Sequence, residues 1–191
     1  LVGSEMCIRD RLYDAREVFL FECYTGIRIS DILTLKWKHI TDEKISIRMR
    51  KTEKLLSIPI NDYVRVVLDR RRCAVENNGG KITSEKYVFN ILKVDVDEVS
   101  AQDALNAISS ATAVINKQLK KIAKKTGIDK NLSTHCARHS YATALLTNNI
   151  PLPVIKEMLG HSDIKVTQIY AKVVDSKRNE VVECLNKVYH G

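Results

Sequence analysis

Between Leu105 and Ile122, six residues recur every three or four positions: Leu105, Ile108, Thr112, Ile115, Leu119 and Ile122. That spacing predicts one long helix with a single apolar stripe, and a stripe of this length must rest on a hydrophobic core. Lys117, Lys120, Lys121, Lys124 and Lys125 fall on the opposite face, and Gly127 ends the run. Such a lysine row is either a solvated surface or a stripe that faces phosphates. A chain of 191 residues has room for one domain built round that helix.

The remaining elements read as mainly helical, with a small antiparallel β-sheet near the N-terminus. Leu12 to Tyr24 carries apolar residues at helical spacing (Leu12, Ala15, Phe19, Cys23, with Val18 and Leu20 alongside), and Gly26 suits the left-handed turn that stops it. Ser30 is placed to cap a short helix through Leu35, with Asp31 at its positive end. Lys44–Met49 alternates and Leu55–Ile60 is a second β-like run, which predicts a hairpin or a three-stranded sheet with Lys51 in or beside the turn. Asn61 or Asp62 starts a helix to about Glu76, and Tyr87–Leu92 reads as extended, followed by an acidic loop. Ser133 or Thr134 caps a helix from His135 to Thr147, and Pro151 or Pro153 opens a shorter one ending at Gly160. Asp163–Ala171 and Asp175–Val188 complete the helical set.

Residues 1–11 (LVGSEMCIRDR) have neither a signal peptide's long apolar stretch nor helical periodicity. They are expected to be a non-native leader, with residues 12–191 forming a single domain. No apolar run approaches the ~20 residues needed to cross a bilayer. Five scattered cysteines without a C-x-x-C pair argue against a disulfide framework and fit a reducing cytosol. Lysine and arginine outnumber aspartate and glutamate 31 to 23, a net charge of +8 that suits an anionic partner such as nucleic acid.

Six side chains stand out together: Arg28, Lys51, His135, Arg138, His161 and Tyr170. Arg28 follows a glycine turn at the mouth of a short helix, where a guanidinium can grip a phosphate bidentately. His135 and Arg138 lie one turn apart on one helix face and can hold adjacent oxygens of one phosphate. Lys51, on a flexible stem, can reach into a cleft and give a proton to a leaving oxygen. Gly160 lets the backbone turn sharply and aim His161. Tyr170 becomes a nucleophile only when cations or a base lower the cost of its phenolate. Taken singly, each has an ordinary reading as a surface charge or a core tyrosine. His135 and His139 also stand at a metal-ligand spacing, but the segment lacks the glutamate of H-E-x-x-H and Arg138 would crowd a cation, so no metal is assigned.

With their contexts (TGIRISD, MRKTEKLLSIPI, THCARHSYAT, LGHSDIKVTQIYAKV), these segments resemble the catalytic domain of the tyrosine recombinases, the phage and mobile-element integrases, from about Leu12 to about Val174. Cys136-Ala137 inside H-x-x-R, and Lys172 where a histidine often stands, depart from the family pattern. The resemblance implies that Arg28 and Arg138 clamp the scissile phosphate and that Lys51 protonates the departing 5′-oxygen. His135 would shuttle the tyrosine proton, and His161 would donate to a non-bridging oxygen. Tyr170 would attack phosphorus to give a 3′-phosphotyrosyl bond, which a second strand's hydroxyl reverses. One phosphodiester replaces another, so no cofactor is implied, and the arginines do what metal ions do elsewhere.

The implied partners are double-stranded DNA and further copies of the chain in a synaptic tetramer, with no membrane and no small-molecule substrate. The implied location is the cytoplasm, at the nucleoid, for a bacterial or phage-encoded protein. By the same resemblance, an N-terminal DNA-clamping domain is missing from this sequence. Residues 175–191 would form a helix that either docks on a neighbouring protomer or folds back on its own domain. The readings to be separated from this one are a type IB topoisomerase and a non-catalytic basic DNA-binding module whose Tyr170 is core.

Overall fold

The first helix, α1 (Val2–Thr25), is the element on which the others pack: α2 (Ile29–Leu33), α3 (Asp62–Asn77), α4 (Ala101–Thr126) and α5 (Thr134–Thr147) all lie against it. The computed structural model describes residues 2–161, with side chains from Arg11 onward. The expected helices at Asp163–Ala171 and Asp175–Val188, and Tyr170 with them, lie outside the described residues.

α1 corrects two expectations. Its backbone is helical from Val2, so most of the stretch read as lacking helical periodicity continues the helix; no proline interrupts it. Its buried face is also rotated from the predicted stripe. Ala15, Val18 and Phe21 are buried together with Glu17, Glu22 and Thr25, whereas Leu12, Phe19, Leu20 and Cys23 are only partly covered. The run VFLFECY is apolar at nearly every position, so spacing alone does not select a face. Partners do. Glu17 is fully buried because Arg16 and, from α3, Arg70 each reach its carboxylate at 2.9 Å. Gly26, at φ +66°, closes the helix, and its N–H donates to the carbonyl of Glu22 at 2.8 Å.

After α2 and a single 3₁₀ turn (Trp37–His39), strands β1 (Lys44–Arg48) and β2 (Leu55–Pro59) pair antiparallel, Lys44 opposite Pro59 and Arg48 opposite Leu55. Ile45, Ile47, Leu56 and Ile58 face the core, as period-two alternation requires. Among the described residues the sheet has two strands, so the hairpin alternative holds; Tyr87–Leu92 adds only an isolated bridge to Lys36. Lys51 sits exposed in the turn, which Glu53 closes with a left-handed backbone (φ 56°) and an N–H donated to Met49. Ser30 does not cap α2. Arg28 occupies the cap position and its carbonyl accepts from Asp31 and Ile32.

Asn61 caps α3, accepting from the Val64 N–H at 2.9 Å. Ser100 caps α4, and Gly127 ends it in the left-handed conformation. The buried face of α4 is Ala104, Ile108, Ile115, Leu119 and Ala123; Leu105, predicted to be part of the stripe, is 58% exposed. The face begins at the smaller Ala104, one residue earlier. Lys117, Lys120, Lys121, Lys124 and Lys125 are exposed. The acidic loop also has a job: Asp95 and Asp97 hold the buried ammonium of Lys36 at 3.2 and 2.7 Å.

Ser133 caps α5, and α6 (Leu152–Leu159) starts after Pro151 and ends at Gly160, φ +61°. α5 and α6 share a small core of Tyr141, Ala142, Leu146, Ile155 and Leu159. A mainly helical chain with one small antiparallel sheet is the predicted class. No helix among the described residues is long and apolar enough to cross a membrane.

Candidate active site

Two helices end at the same place. The last carbonyls of a helix have no partner within it and carry the negative end of its dipole. At α1 the open carbonyl belongs to Gly26, and at α6 the open carbonyls belong to Leu159 and Gly160. Arg138, 7% exposed, donates through Nη1 to Gly26 and through Nη2 to Leu159 at 2.6 Å. Arg28 donates through Nη2 to Gly160 at 3.2 Å, and its Nη1 lies 3.2 Å from the Sδ of buried Met49. A buried guanidinium needs such acceptors. Here they also set the direction in which both forks point.

Gly160 is required where it stands. Its φ is positive, and a Cβ there would collide with the Met49 sulfur, so the chain end of α6, the hairpin and Arg28 are locked in one contact.

The arginines border a cavity of about 420 Å³ lined by Arg28, Ile29, Ser30, Lys51, Thr52, Thr134, His135, Arg138 and His161. Five of the six sequence-selected residues are thus brought together from α1–α2, the hairpin, α5 and the end of α6. The sixth, Tyr170, lies outside the described residues. Thr134 is held by its N–H, which donates to the side chain of Asn116 on α4 at 2.9 Å.

Among the described residues, no carboxylate lines this cavity. Its field shows in His161, whose pKa falls to about 4 through burial and then through Arg138, Arg28 and Lys51. At neutral pH that imidazole is uncharged and still has one N–H to donate. Burial and the cationic lining both disfavour a further positive charge there, a setting that suits an anion.

Two acids lie beneath the cations. Asp31 is buried, its Oδ1 accepting from the Arg50 N–H at 2.9 Å while Oδ2 has no hydrogen bond among the described residues. Burial raises its pKa against the opposing pull of that N–H, Arg28 and Arg138. Glu22, 2% exposed, has Oε2 likewise unpartnered, and burial raises its pKa to about 9 although Arg138 pulls it down. Neither acid was selected from the sequence as a site residue. Val18, Phe21, Glu22 and Thr25 share one buried face of α1, so a charge at helical spacing inside VFLFECY is the signal for Glu22. Met49 was legible only as the end of the alternation Ile45, Ile47, Met49.

His135 and His139 meet directly, Nε2 to Nε2 at 2.6 Å, with ring centroids 4.1 Å apart and planes at 86°. Two nitrogens on one tetrahedral zinc stand roughly 3.3 Å apart, given Zn–N bonds of ~2.0–2.1 Å. The separation suits one shared proton instead. Tyr141, one turn beyond Arg138, is core: it packs against Gly26, is 9% exposed, and burial raises its phenol pKa.

A helical domain with a hairpin closes two arginines, a lysine and two histidines round one cavity whose lining suits an anion. Residues 5–177 match the phage integrase family, and the chain belongs to it. Tyrosine recombinase XerD of Listeria monocytogenes is 48% identical over 160 residues, 82% of this chain and 49% of that protein. Tyrosine recombinase XerA of Saccharolobus solfataricus is 31% identical over 163 residues, 85% of this chain and 47% of that one. The chain spans about half the length of these relatives. In fold it is similar to a crystal structure of XerA recombinase (TM-score 0.60, 22% identity, 88% of this chain and 61% of that one). It is similar also to XerH site-specific recombinase in a post-cleavage complex with palindromic difH substrate (TM-score 0.63, 20% identity, 92% and 50%).

Glu22 yields a prediction. Its folded pKa lies above its unfolded value, so the folded chain keeps a proton that the unfolded chain loses between about 4.5 and 9. Stability from this group is therefore present below that window and is lost as pH rises through it, by at most ~1.4 kcal/mol per pH unit. Thermal unfolding from pH 6.5 to 9, above the range in which His161 gains its proton, will show Glu22→Gln losing distinctly less stability than the parent. Parallel slopes would mean that Glu22 is charged in the fold.

Proposed function

We propose that this chain is the catalytic part of a site-specific DNA recombinase or integrase, which cuts and rejoins strands through a covalent 3′-phosphotyrosyl intermediate on Tyr170. The observation that carries this reading is the convergence of Arg28, Lys51, His135, Arg138 and His161 on one cationic cavity, with both arginines held from behind by backbone carbonyls.

In this reading, Arg28 and Arg138 bind the non-bridging oxygens of the scissile phosphate and take up charge as the transition state expands. Because the carbonyls have already fixed their orientation, little reorganisation is left for the reaction itself. His161, neutral and half-buried, donates its N–H to the same phosphate. His135 exchanges the proton of the attacking hydroxyl, and Lys51, exposed on the turn, delivers a proton to the leaving 5′-oxygen. A second DNA strand's 5′-hydroxyl reverses the step, so no external energy source is consumed.

The partners are duplex DNA and further copies of the protein assembled on it, in the cytoplasm at the nucleoid. The solved neighbours support the DNA partner: XerH is bound to difH substrate, and the Tn1549 transposon integrase, at TM-score 0.55 and 19% identity, is in complex with circular intermediate DNA. The lysine row on α4 is assigned to backbone phosphates.

Incubation with a nicked suicide duplex is expected to give a denaturant-stable protein–DNA adduct that Tyr170→Phe abolishes. Arg138→Lys, which keeps the charge but loses the two-pronged grip on Gly26 and Leu159, should cut the single-turnover rate by ~10²-fold or more. An adduct in Tyr170→Phe would remove the nucleophile assignment, and parental cleavage by Arg138→Lys would remove the clamp.

For the α4 row, replacing Lys117 and Lys121 by alanine should weaken binding to every sequence alike. It should also flatten the slope of log affinity against log salt by about 0.9 for each phosphate that the variant no longer neutralises. An unchanged slope returns these lysines to solvent.

A further inference from the structure

His139 has no part in the reading above, yet it touches the group assigned to carry the proton. It stands one helical turn after His135, half-buried, and the Nε2 atoms of the two rings are 2.6 Å apart. Two bare nitrogens repel at that distance, and two protonated ones repel more. One proton on the line between them satisfies both rings.

We propose that His139 is a positioning residue for His135, sharing a single proton along the Nε2···Nε2 line and so setting which nitrogen of His135 does the chemistry. This rests on the proposed function only in taking His135 as the proton carrier.

With the shared proton on His135, its Nδ1 is bare and acts as a base. When Nδ1 takes the proton of the attacking hydroxyl, that oxygen's electron pair forms the bond to phosphorus and the bond to the leaving oxygen breaks. The shared proton then moves to Nε2 of His139. His135 is left neutral with Nδ1–H, and the positive charge rests on His139. The reverse shift restores the hydroxyl's proton in the return step, and no oxidant or co-reactant enters.

The surrounding charges keep the resting pair to one shared proton rather than two. Round the cavity on which His135 opens stand Arg28, Lys51, Arg138 and His161. On α1, Glu22 interacts with Arg138, and Cys23 with Glu22 and Cys136. From α4, the neutral Asn116 accepts from the N–H of Thr134, the residue before His135. Burial first, then His135 and Arg138, lower the pKa of His139, so it begins uncharged with an Nε2 lone pair to take the shared proton and holds the positive charge only transiently. A hydrogen-bonding partner that fixes an imidazole's tautomer is a familiar requirement of histidine chemistry.

The test is long-range proton–nitrogen NMR of the imidazole rings in the parent, His139→Ala and His139→Gln. It is paired with adduct formation on the suicide duplex from pH 5.5 to 8.5. In the parent, one Nε2-bound proton should bridge the two rings. His139→Ala should release His135 into a mixture of tautomers, lower adduct formation at pH 7 roughly tenfold, and displace its pH limb. That is a fraction of the ~10²–10⁴ a positioned acid–base group contributes. His139→Gln should keep a single His135 tautomer, because the amide still offers one hydrogen bond.

An unchanged His135 tautomer in His139→Ala, or a loss of rate uniform across pH, would overturn the proposal. If that variant does not fold, the parent spectrum decides: both rings protonated on Nδ1 with Nε2 bare would overturn it. A parent that forms no adduct would sink the proposed function, and the ring spectra would still judge the histidine pair.

Discussion

Two guanidinium groups tied to the open carbonyls of two helix ends organise this molecule. Arg138 joins Gly26 to Leu159, and Arg28 joins its own turn to Gly160, so residues more than a hundred positions apart are fastened by the side chains that line the cavity. Hydrogen bonds to charged groups contribute ~1.5–3 kcal/mol each, and an unpaired buried guanidinium costs at least as much. The fold therefore closes with both arginines in place. Helix ends, the hairpin and the cavity form together because the same contacts satisfy them all.

Charge follows from that arrangement. The carbonyls supply partial negative charge behind the guanidiniums, where α1 and α6 end, while the described lining at the front holds cations and imidazoles. Glu22 and Asp31, which a simple count would set against the arginines, are pushed by burial toward their neutral forms. His161 is held neutral by burial and by the cations round it. The described lining is thus cationic, and burial and charge together keep His161 without a second proton. Under the proposed function, such a site stabilises developing negative charge with fixed groups rather than with groups that must turn to meet it.

Much of this was legible in the chain. The 3–4 spacing along residues 105–122 identified α4, alternation identified the hairpin, and Gly26, Gly127 and Gly160 marked three helix ends at which the backbone is left-handed. The five cavity residues were legible through local context. What spacing does not carry is rotation and partnership. α4 buries Ala104 rather than Leu105, and α1 turns two glutamates inward, because Arg70, 53 residues away in sequence, meets one of them. Backbone carbonyls have no side-chain signature, so the groups that aim the arginines left no trace in the sequence. His139 was visible only as half of a metal-like spacing; its contact with His135 depends on rotamers.

An anion site held ready by carbonyl-anchored arginines makes one direct demand on the imidazole of His161. Its pKa, near 4 in the free chain, should climb steeply when a duplex phosphate fills the cavity, and the climb should vanish in Arg138→Lys. NMR titration of that ring with and without a DNA duplex measures it. A rise confined to the parent chain is the predicted result. A His161 that titrates identically with and without DNA would mean that phosphate binds elsewhere, and the account would fall.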